Sequence, residues 1–136
     1  MAKVNWGIIG CGNIAHTFAK SIAHCADAQL IGAASTSEQR ANEFATHYSI
    51  KGYENYQALM QCPNIDVIYI ANTHDQHFQS IAQCLMHNKH VLSEKPITVN
   101  AQQLKNLTAL AEQKDCFLMA VSYTHLRAHE TLRYLV

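Results

Sequence analysis

The sequence predicts an α/β fold built on a doubly wound parallel sheet. Strand-like and helix-like segments alternate through residues 4–119, and the connections between them are short. The fourth of the strand-like segments, residues 66–71, is β-branched and apolar, as a strand is when helices cover both faces of a sheet. The first of these segments runs into a glycine-rich turn that opens a helix. Together these three observations predict one domain with helices on both sides of the sheet.

Hydrophobic periodicity and capping residues assign each element in order. Six short segments are predicted as strands: residues 4–9, 30–35, 51–53, 66–71, 90–93 and 116–119. Apolar residues at helical spacing predict five helices: residues 13–24, 38–48, 55–60, 76–87 and 101–114. Ser37 and Asn100 stand where two of these helices need N-caps, and Pro63 follows the shortest helix. Right-handed crossovers then give the Rossmann strand order 3-2-1-4-5-6, with a flavodoxin-like order as the alternative.

The turn after the first strand carries a dinucleotide-binding pattern of the form G-x-G-x-x-A. The first glycine permits a tight turn, and the second lets the backbone approach a diphosphate. The helix that follows offers unpaired N–H groups and the positive end of its dipole. The alternative is a plain strand-to-helix turn. The residues predicted to contact a diphosphate here are Gly10, Cys11, Gly12, Asn13, Ile14 and Ala15.

The end of the second strand favours NADP over NAD. A carboxylate at this point would hold the ribose 2′-hydroxyl of NAD and repel a 2′-phosphate. The sequence has hydroxyls here instead, at Ser35 and Thr36, and Arg40 lies one helical turn further on. Hydroxyls and a guanidinium suit a 2′-phosphate. The alternative is that Ser37 is only an N-cap and Arg40 only a solvated helix residue.

The loop after the fourth strand is predicted to face the nicotinamide half of the cofactor. Parallel strands bring their carboxyl ends to one edge of the sheet, where ligands bind. His77 begins the next helix and is predicted either as a ligand or as a cap. The loop runs from residue 71 to residue 77, and its predicted cofactor contacts are Ala71, Asn72, Thr73, His74 and His77.

The loop after the fifth strand holds the predicted catalytic residue, Lys95. A lysine at the end of a central strand can hold a substrate oxygen and help to move its proton. Glu94 is expected to pair with this lysine or with the cofactor ribose, and Pro96 stiffens the exit from the strand. The alternative is a surface lysine in a turn.

Taken together, these motifs resemble the Gfo/Idh/MocA oxidoreductase family, over residues 3 to about 119. The match lies in residues 6–15, in residues 66–73 with His77 downstream, and in Glu94-Lys95-Pro96. The resemblance implies an NAD(P)-dependent dehydrogenase acting on a sugar, polyol or dihydrodiol, with Lys95 at the catalytic centre. The sequence departs from many relatives at Thr73, where they have proline, and from many NADP-users at Thr36, where they have arginine. The prediction of NADP therefore depends mainly on Arg40.

The composition excludes several other classes of partner. Lys and Arg balance Asp and Glu to a net charge of 0, so no basic surface predicts nucleic-acid binding. No apolar run approaches about 18 residues, which predicts no membrane span. Five scattered cysteines without a C-x-x-C pair predict reduced thiols in the cytoplasm. The nine histidines show no clear metal-ligand spacing, so no metal site is predicted.

The composition changes near residue 121. Residues 1–120 hold ten glutamines and nine asparagines, whereas residues 121–136 hold none and carry two of the three arginines. The end of the chain also resembles translated adapter sequence. We expect residues 1–120 to be the NAD(P)-binding domain and residues 121–136 to be a non-native chimeric tail, the alternative being a genuine helix.

The family resemblance further implies a C-terminal substrate domain, absent from this chain, that supplies most of the pocket and the homo-oligomer interface. The fragment alone is then expected to be inactive. A non-catalytic NAD(P)-binding module is the alternative function.

Overall fold

Six parallel strands form one sheet in the computed structural model of this chain, which describes residues 3–98 and 100–121. Their order is β3-β2-β1-β4-β5-β6, which confirms the predicted Rossmann order and excludes the flavodoxin-like alternative. All the carboxyl ends therefore lie at one edge of the sheet. The strands are β1 (Val4–Ile9), β2 (Ala28–Ala34), β3 (Lys51–Gly52), β4 (Val67–Ile70), β5 (His90–Ser93) and β6 (Leu118–Ala120).

Five helices connect the strands, and side-chain caps fix where three of them begin. The oxygens of Ser37, Asn55 and Asn100 accept hydrogen bonds from the amides three residues further on, at 3.2, 2.8 and 2.8 Å. A single 3₁₀ turn (His74–Gln76) precedes the fourth helix. The helices are α1 (Asn13–Ile22), α2 (Glu38–Tyr48), α3 (Tyr56–Met60), α4 (His77–Met86) and α5 (Ala101–Gln113).

Apolar side chains cover both faces of the sheet, as the apolar fourth strand predicts. Ile8 and Tyr69 contribute to the core on one face, where the Phe18 ring of α1 stacks on Tyr69 with ring centroids 4.0 Å apart. Their neighbours Ile9 and Ile70 belong to the core on the other face, beneath α3, α4 and α5. Because successive residues of a strand point to opposite faces, each strand stabilises both layers.

Several element boundaries differ from the prediction by a few residues, and pairing between strands explains two of them. β2 begins at Ala28, because Ala28 already pairs with Val4 of β1. β6 begins at Leu118, which pairs with Val91 of β5. These shifts leave the carboxyl ends of the strands at the same edge of the sheet.

Of the predicted tail, only Val121 is among the described residues. Within the described part of the chain, no helix has the length and apolarity needed to cross a membrane.

Candidate functional site

A cleft of about 620 Å³ lies at the carboxyl ends of β1, β2 and β4. Every residue predicted for the loops after these three strands lines it, except Ala15 and His77. Tyr56 and Gln76 also line it, although the sequence did not single them out. The full lining is Gly10, Cys11, Gly12, Asn13, Ile14, Ser35, Thr36, Arg40, Tyr56, Ala71, Asn72, Thr73, His74 and Gln76.

The glycine loop is shaped by two glycines that do different things. Gly10 has a φ of +96°, and a Cβ built on it would lie 2.6 Å from the carbonyl carbon and oxygen of Ala71. Gly10 thus lets the first loop sit directly against the loop after β4. A Cβ on Gly12 would meet no atom within 4 Å. Gly12 therefore keeps the backbone open towards the cleft.

The start of α1 beside Gly12 suits an anion. Gly12 is the N-cap, and as a glycine it has no side chain with which to cap the amides of the first turn. Ala15 is fully buried one turn into the helix, within the core that also contains Trp6. The small Ala15 side chain lets α1 pack closely under the loop. A cofactor diphosphate fits this position for three reasons. The N–H groups of the first turn are open, the positive end of the α1 dipole points here, and no side chain of Gly12 blocks the approach.

Cys11 contributes its backbone to the loop, because its thiol points inward. The Sγ atom donates to the Ala34 carbonyl oxygen at 3.6 Å, and only 8% of the residue is exposed. Burial raises the pKa of the Cys11 thiol to about 11, although Arg40 opposes the rise. The thiol is therefore protonated at neutral pH and is a poor nucleophile.

Some residues of the loop after β2 cap helix α2, and others line the cleft. Ser37 accepts from the Arg40 amide and caps α2, which confirms the predicted N-cap. Ser35 is buried, and its Oγ accepts from the Ser37 amide at 3.4 Å. The side chains of Thr36 and Arg40 are exposed along the cleft. These two residues remain available to a ligand at this end.

An adjoining depression extends the cleft beyond Thr36. It has a volume of about 400 Å³, shares Ser35, Thr36 and Tyr56 with the cleft, and adds Glu54 and Asn55. Glu54 follows the short strand β3, and sequence analysis missed it because only packing brings that segment beside the end of β2. No residue that lines the cleft itself is an aspartate or glutamate.

Asn72 presents an unsatisfied acceptor in the loop after β4. Its Nδ2 donates to the Ser80 hydroxyl at 2.9 Å. Its Oδ1 is buried and has no hydrogen-bond partner among the described residues. A buried acceptor without a donor is costly, so a ligand that donates a hydrogen bond here would be stabilised.

The loop after β5 presents Lys95 and turns Glu94 inward. Lys95 is exposed, whereas Glu94 is buried, with 5% of its surface exposed. Neither residue lines the cleft.

The Glu94 carboxyl is poorly solvated. Its Oε2 is buried without a hydrogen-bond partner among the described residues. Burial raises the pKa of Glu94, and the Tyr69 hydroxyl, His77 and Lys95 oppose this rise only in part.

Glu94→Gln is expected to remove part of the pH dependence of stability. The fold raises the pKa of Glu94 above its value in the unfolded chain. The contribution of Glu94 to the free energy of unfolding is therefore fully present below the unfolded pKa, and it is lost as the pH rises through the folded pKa. Glutamine cannot ionise. Thermal melts followed by circular dichroism from about pH 4 to 8 should show the wild type losing Tm relative to Glu94→Gln as the pH rises. The exposed Glu112→Gln is the control, and parallel curves for wild type and Glu94→Gln would contradict the expectation.

His77 lies behind the cleft and is fully buried. Gln76 is the N-cap of α4, so His77 does not cap the helix. The ring nitrogens of His77 face two backbone carbonyls, those of Pro96 and Asn72.

A six-stranded Rossmann sheet with an open diphosphate cradle after β1 defines a dinucleotide-binding domain. Residues 4–122 match the family described as "Oxidoreductase family, NAD-binding Rossmann fold", GFO_IDH_MocA. The chain belongs to this family, and the part that it covers is the NAD-binding Rossmann domain.

Similar proteins include dehydrogenases of diols and sugars. The chain is 36% identical to trans-1,2-dihydrobenzene-1,2-diol dehydrogenase of Mus musculus, over 96% of this chain and 40% of that protein. It is also 36% identical to D-xylose 1-dehydrogenase (NADP(+)) of Hypocrea jecorina, over 89% of this chain and 34% of that protein. The chain thus spans about two fifths of the length of the diol dehydrogenase and about a third of that of the xylose dehydrogenase.

The fold is shared with solved structures of the same class. KijD10, a 3-ketoreductase from Actinomadura kijaniata solved with TDP-benzene and NADP, has a TM-score of 0.83 and 29% identity. The similarity covers 87% of this chain and 38% of that one.

Proposed function

We propose that this chain binds NADP in the cleft and forms the cofactor half of a dehydrogenase that acts on a sugar, polyol or dihydrodiol. The observation that carries the proposal is the cradle at Gly10 and Gly12, which opens α1 to a diphosphate beside the exposed Arg40. The named activities of the relatives support the substrate class. When bound, the nicotinamide would supply the hydride that is exchanged with a carbinol or carbonyl carbon.

Each loop at this edge of the sheet has a distinct task in the proposal. The amides at the start of α1 bind the diphosphate, and Thr36 and Arg40 bind the ribose 2′-phosphate. Asn72 and its neighbours hold the nicotinamide half, where the unsatisfied Oδ1 meets a donor. Lys95 holds the substrate oxygen and moves its proton.

The proposal is tested by titrating the chain with NADPH and following the fluorescence of the reduced nicotinamide. Saturable binding supports it, and an absence of binding overturns it. Turnover on a panel of sugars and diols separates a chain that is active by itself from a cofactor-binding fragment, and the fragment is the expected result.

Arg40→Ala is expected to lower the affinity for NADPH by about tenfold and the affinity for NADH by less than about twofold, because only NADPH carries the 2′-phosphate. Fluorescence titrations with both cofactors measure the two ratios. Lys105→Ala removes one positive charge from the exposed face of α5 and is the matched control. Equal losses for NADPH and NADH would overturn the assignment of Arg40.

We further propose that a second domain, for which the longer relatives have room, completes the substrate pocket in the full-length protein. Such a domain would also carry the surface of a homo-oligomer. The scattered cysteines favour the cytoplasm as the location. Light scattering and subcellular fractionation of the full-length protein test the assembly and the location.

A further inference from the structure

The loops after β4 and β5 continue beyond the last backbone pairing of these two strands. The last register pair of these strands is Ile70 with Ser93, and one more backbone bond follows, from the Glu94 amide to the Ile70 carbonyl at 2.9 Å. Asn72 and Lys95, to which the proposed function assigns the nicotinamide and the substrate oxygen, both lie beyond this point. Backbone pairing of the two strands therefore does not set the separation of the two loops.

His77 spans the gap between them. Its Nδ1 lies 2.6 Å from the carbonyl oxygen of Pro96, the residue after Lys95. Its Nε2 lies 3.1 Å from the carbonyl oxygen of Asn72. Both partners are acceptors only, and a neutral imidazole carries one N–H, so the ring donates to one carbonyl and contacts the other. The shorter distance marks Nδ1 as the nitrogen that carries a hydrogen.

The surroundings of His77 make this bridge rigid. The ring is fully buried, and α4 begins at this residue, so its backbone is fixed by the helix. Ser80, one turn further along α4, accepts from the Asn72 side chain at 2.9 Å. The edge of the His77 ring also packs against His74, which lines the cleft, with centroids 5.5 Å apart. α4 thus holds the loop after β4 at two points and the loop after β5 through His77.

We propose that His77 is a positioning residue that sets the distance between the nicotinamide-facing loop and the Lys95 loop. This inference rests on the proposed function. It adds how the nicotinamide-facing loop and the Lys95 loop are held at a fixed distance from each other. His77 itself touches neither cofactor nor substrate. It acts through the Pro96 and Asn72 carbonyls, and its effect falls on the nicotinamide half of the cleft alone.

The test compares two ligands on the same chain. NADPH reaches both halves of the cleft, whereas adenosine 2′,5′-bisphosphate reaches only the half formed by the glycine loop, Thr36 and Arg40. His77→Phe keeps a ring of similar size and removes both ring nitrogens, and His77→Asn places an amide nitrogen near the position of Nδ1. His87→Phe makes the same change at the other end of α4, where the ring nitrogen faces only its own helix, at Gln83.

We expect His77→Phe to lower the affinity for NADPH by about tenfold and the affinity for the bisphosphate by less than about twofold. His77→Asn should recover part of the loss, and His87→Phe should leave both affinities at the wild-type value. Equal weakening of both ligands means that His77 only supports the fold, and it overturns the inference. An unchanged NADPH affinity in His77→Phe overturns it as well.

The wild-type titrations keep the two proposals apart. If the wild type binds neither ligand, the proposed function fails and the inference fails with it. If NADPH binds no more tightly than the bisphosphate, the inference fails while cofactor binding stands.

A measurement on the wild type covers the case in which His77→Phe does not fold. Long-range ¹H–¹⁵N spectra of the histidine rings should show a hydrogen on Nδ1 of His77, and NADPH should shift this signal. A bare Nδ1 overturns the link to Pro96.

Discussion

Gly10→Ala is expected to destabilise the fold by about 3 kcal/mol and to abolish cofactor binding. The substitution puts a Cβ 2.6 Å from the Ala71 carbonyl and 2.7 Å from the Asn72 amide, at a backbone φ of +96°. The atoms that it meets are backbone atoms of the neighbouring loop, so they cannot turn away as a flexible side chain would. Urea denaturation followed by circular dichroism measures the loss.

Gly12→Ala is the matched variant, two residues further along the same loop. A Cβ here meets no protein atom within 4 Å, and the φ of −89° suits alanine. The free energy of unfolding should therefore change by less than about 1 kcal/mol. The new methyl group stands where the diphosphate would approach, so NADPH affinity should fall by at least about tenfold. Wild-type affinity in Gly12→Ala, or wild-type stability in Gly10→Ala, would contradict this account of the cradle.

Lys89→Met is expected to cost about 2 kcal/mol, because the buried Ile65 carbonyl oxygen loses its side-chain donor, while the Cys62 carbonyl oxygen keeps the Ile65 amide. Lys89 is 7% exposed, and its Nζ donates to the carbonyls of Cys62 and Ile65 at 2.7 and 2.6 Å. Burial lowers the pKa of this lysine, which shows that the charge is poorly solvated. Methionine keeps most of the length of the side chain and removes only the donors.

The cost of Lys89→Met is measured by urea denaturation at pH 7. Lys105→Met, on the exposed face of α5, is the control and should change the free energy of unfolding by less than about 0.5 kcal/mol. Equal stability of the two variants would show that the Ile65 carbonyl finds another donor or water.

The fold follows from the sequence because its signals are local. Apolar periodicity distinguishes strands from helices, and Ser37 and Asn100 place two helix starts through bonds to amides three residues away. The order of the strands then follows from alternation and right-handed crossovers. Strand ends such as Ala28 were missed because pairing with β1, and not the chain around Ala28, decides them.

The candidate site follows from the sequence only in part. The loops after β1, β2 and β4 were predicted to meet, and they line one cleft. Tyr56 and Glu54 were not foreseen, since helix α3 and the end of β3 reach the cleft by packing rather than by following one of these three strands. Whether the lining residues bind the cofactor remains a prediction for the titrations.

What the sequence determined by itself is the architecture and the edge of the sheet at which a ligand binds, because periodicity, caps and the glycine turn act between near neighbours. Only the tertiary structure decided which way the polar side chains at that edge point. Glu94 turns into the core, His77 bridges two loops and Lys89 holds the connection before β4. Each of these positions depends on partners 5 to 27 residues away in the chain, whose place is set by how the helices pack on the sheet.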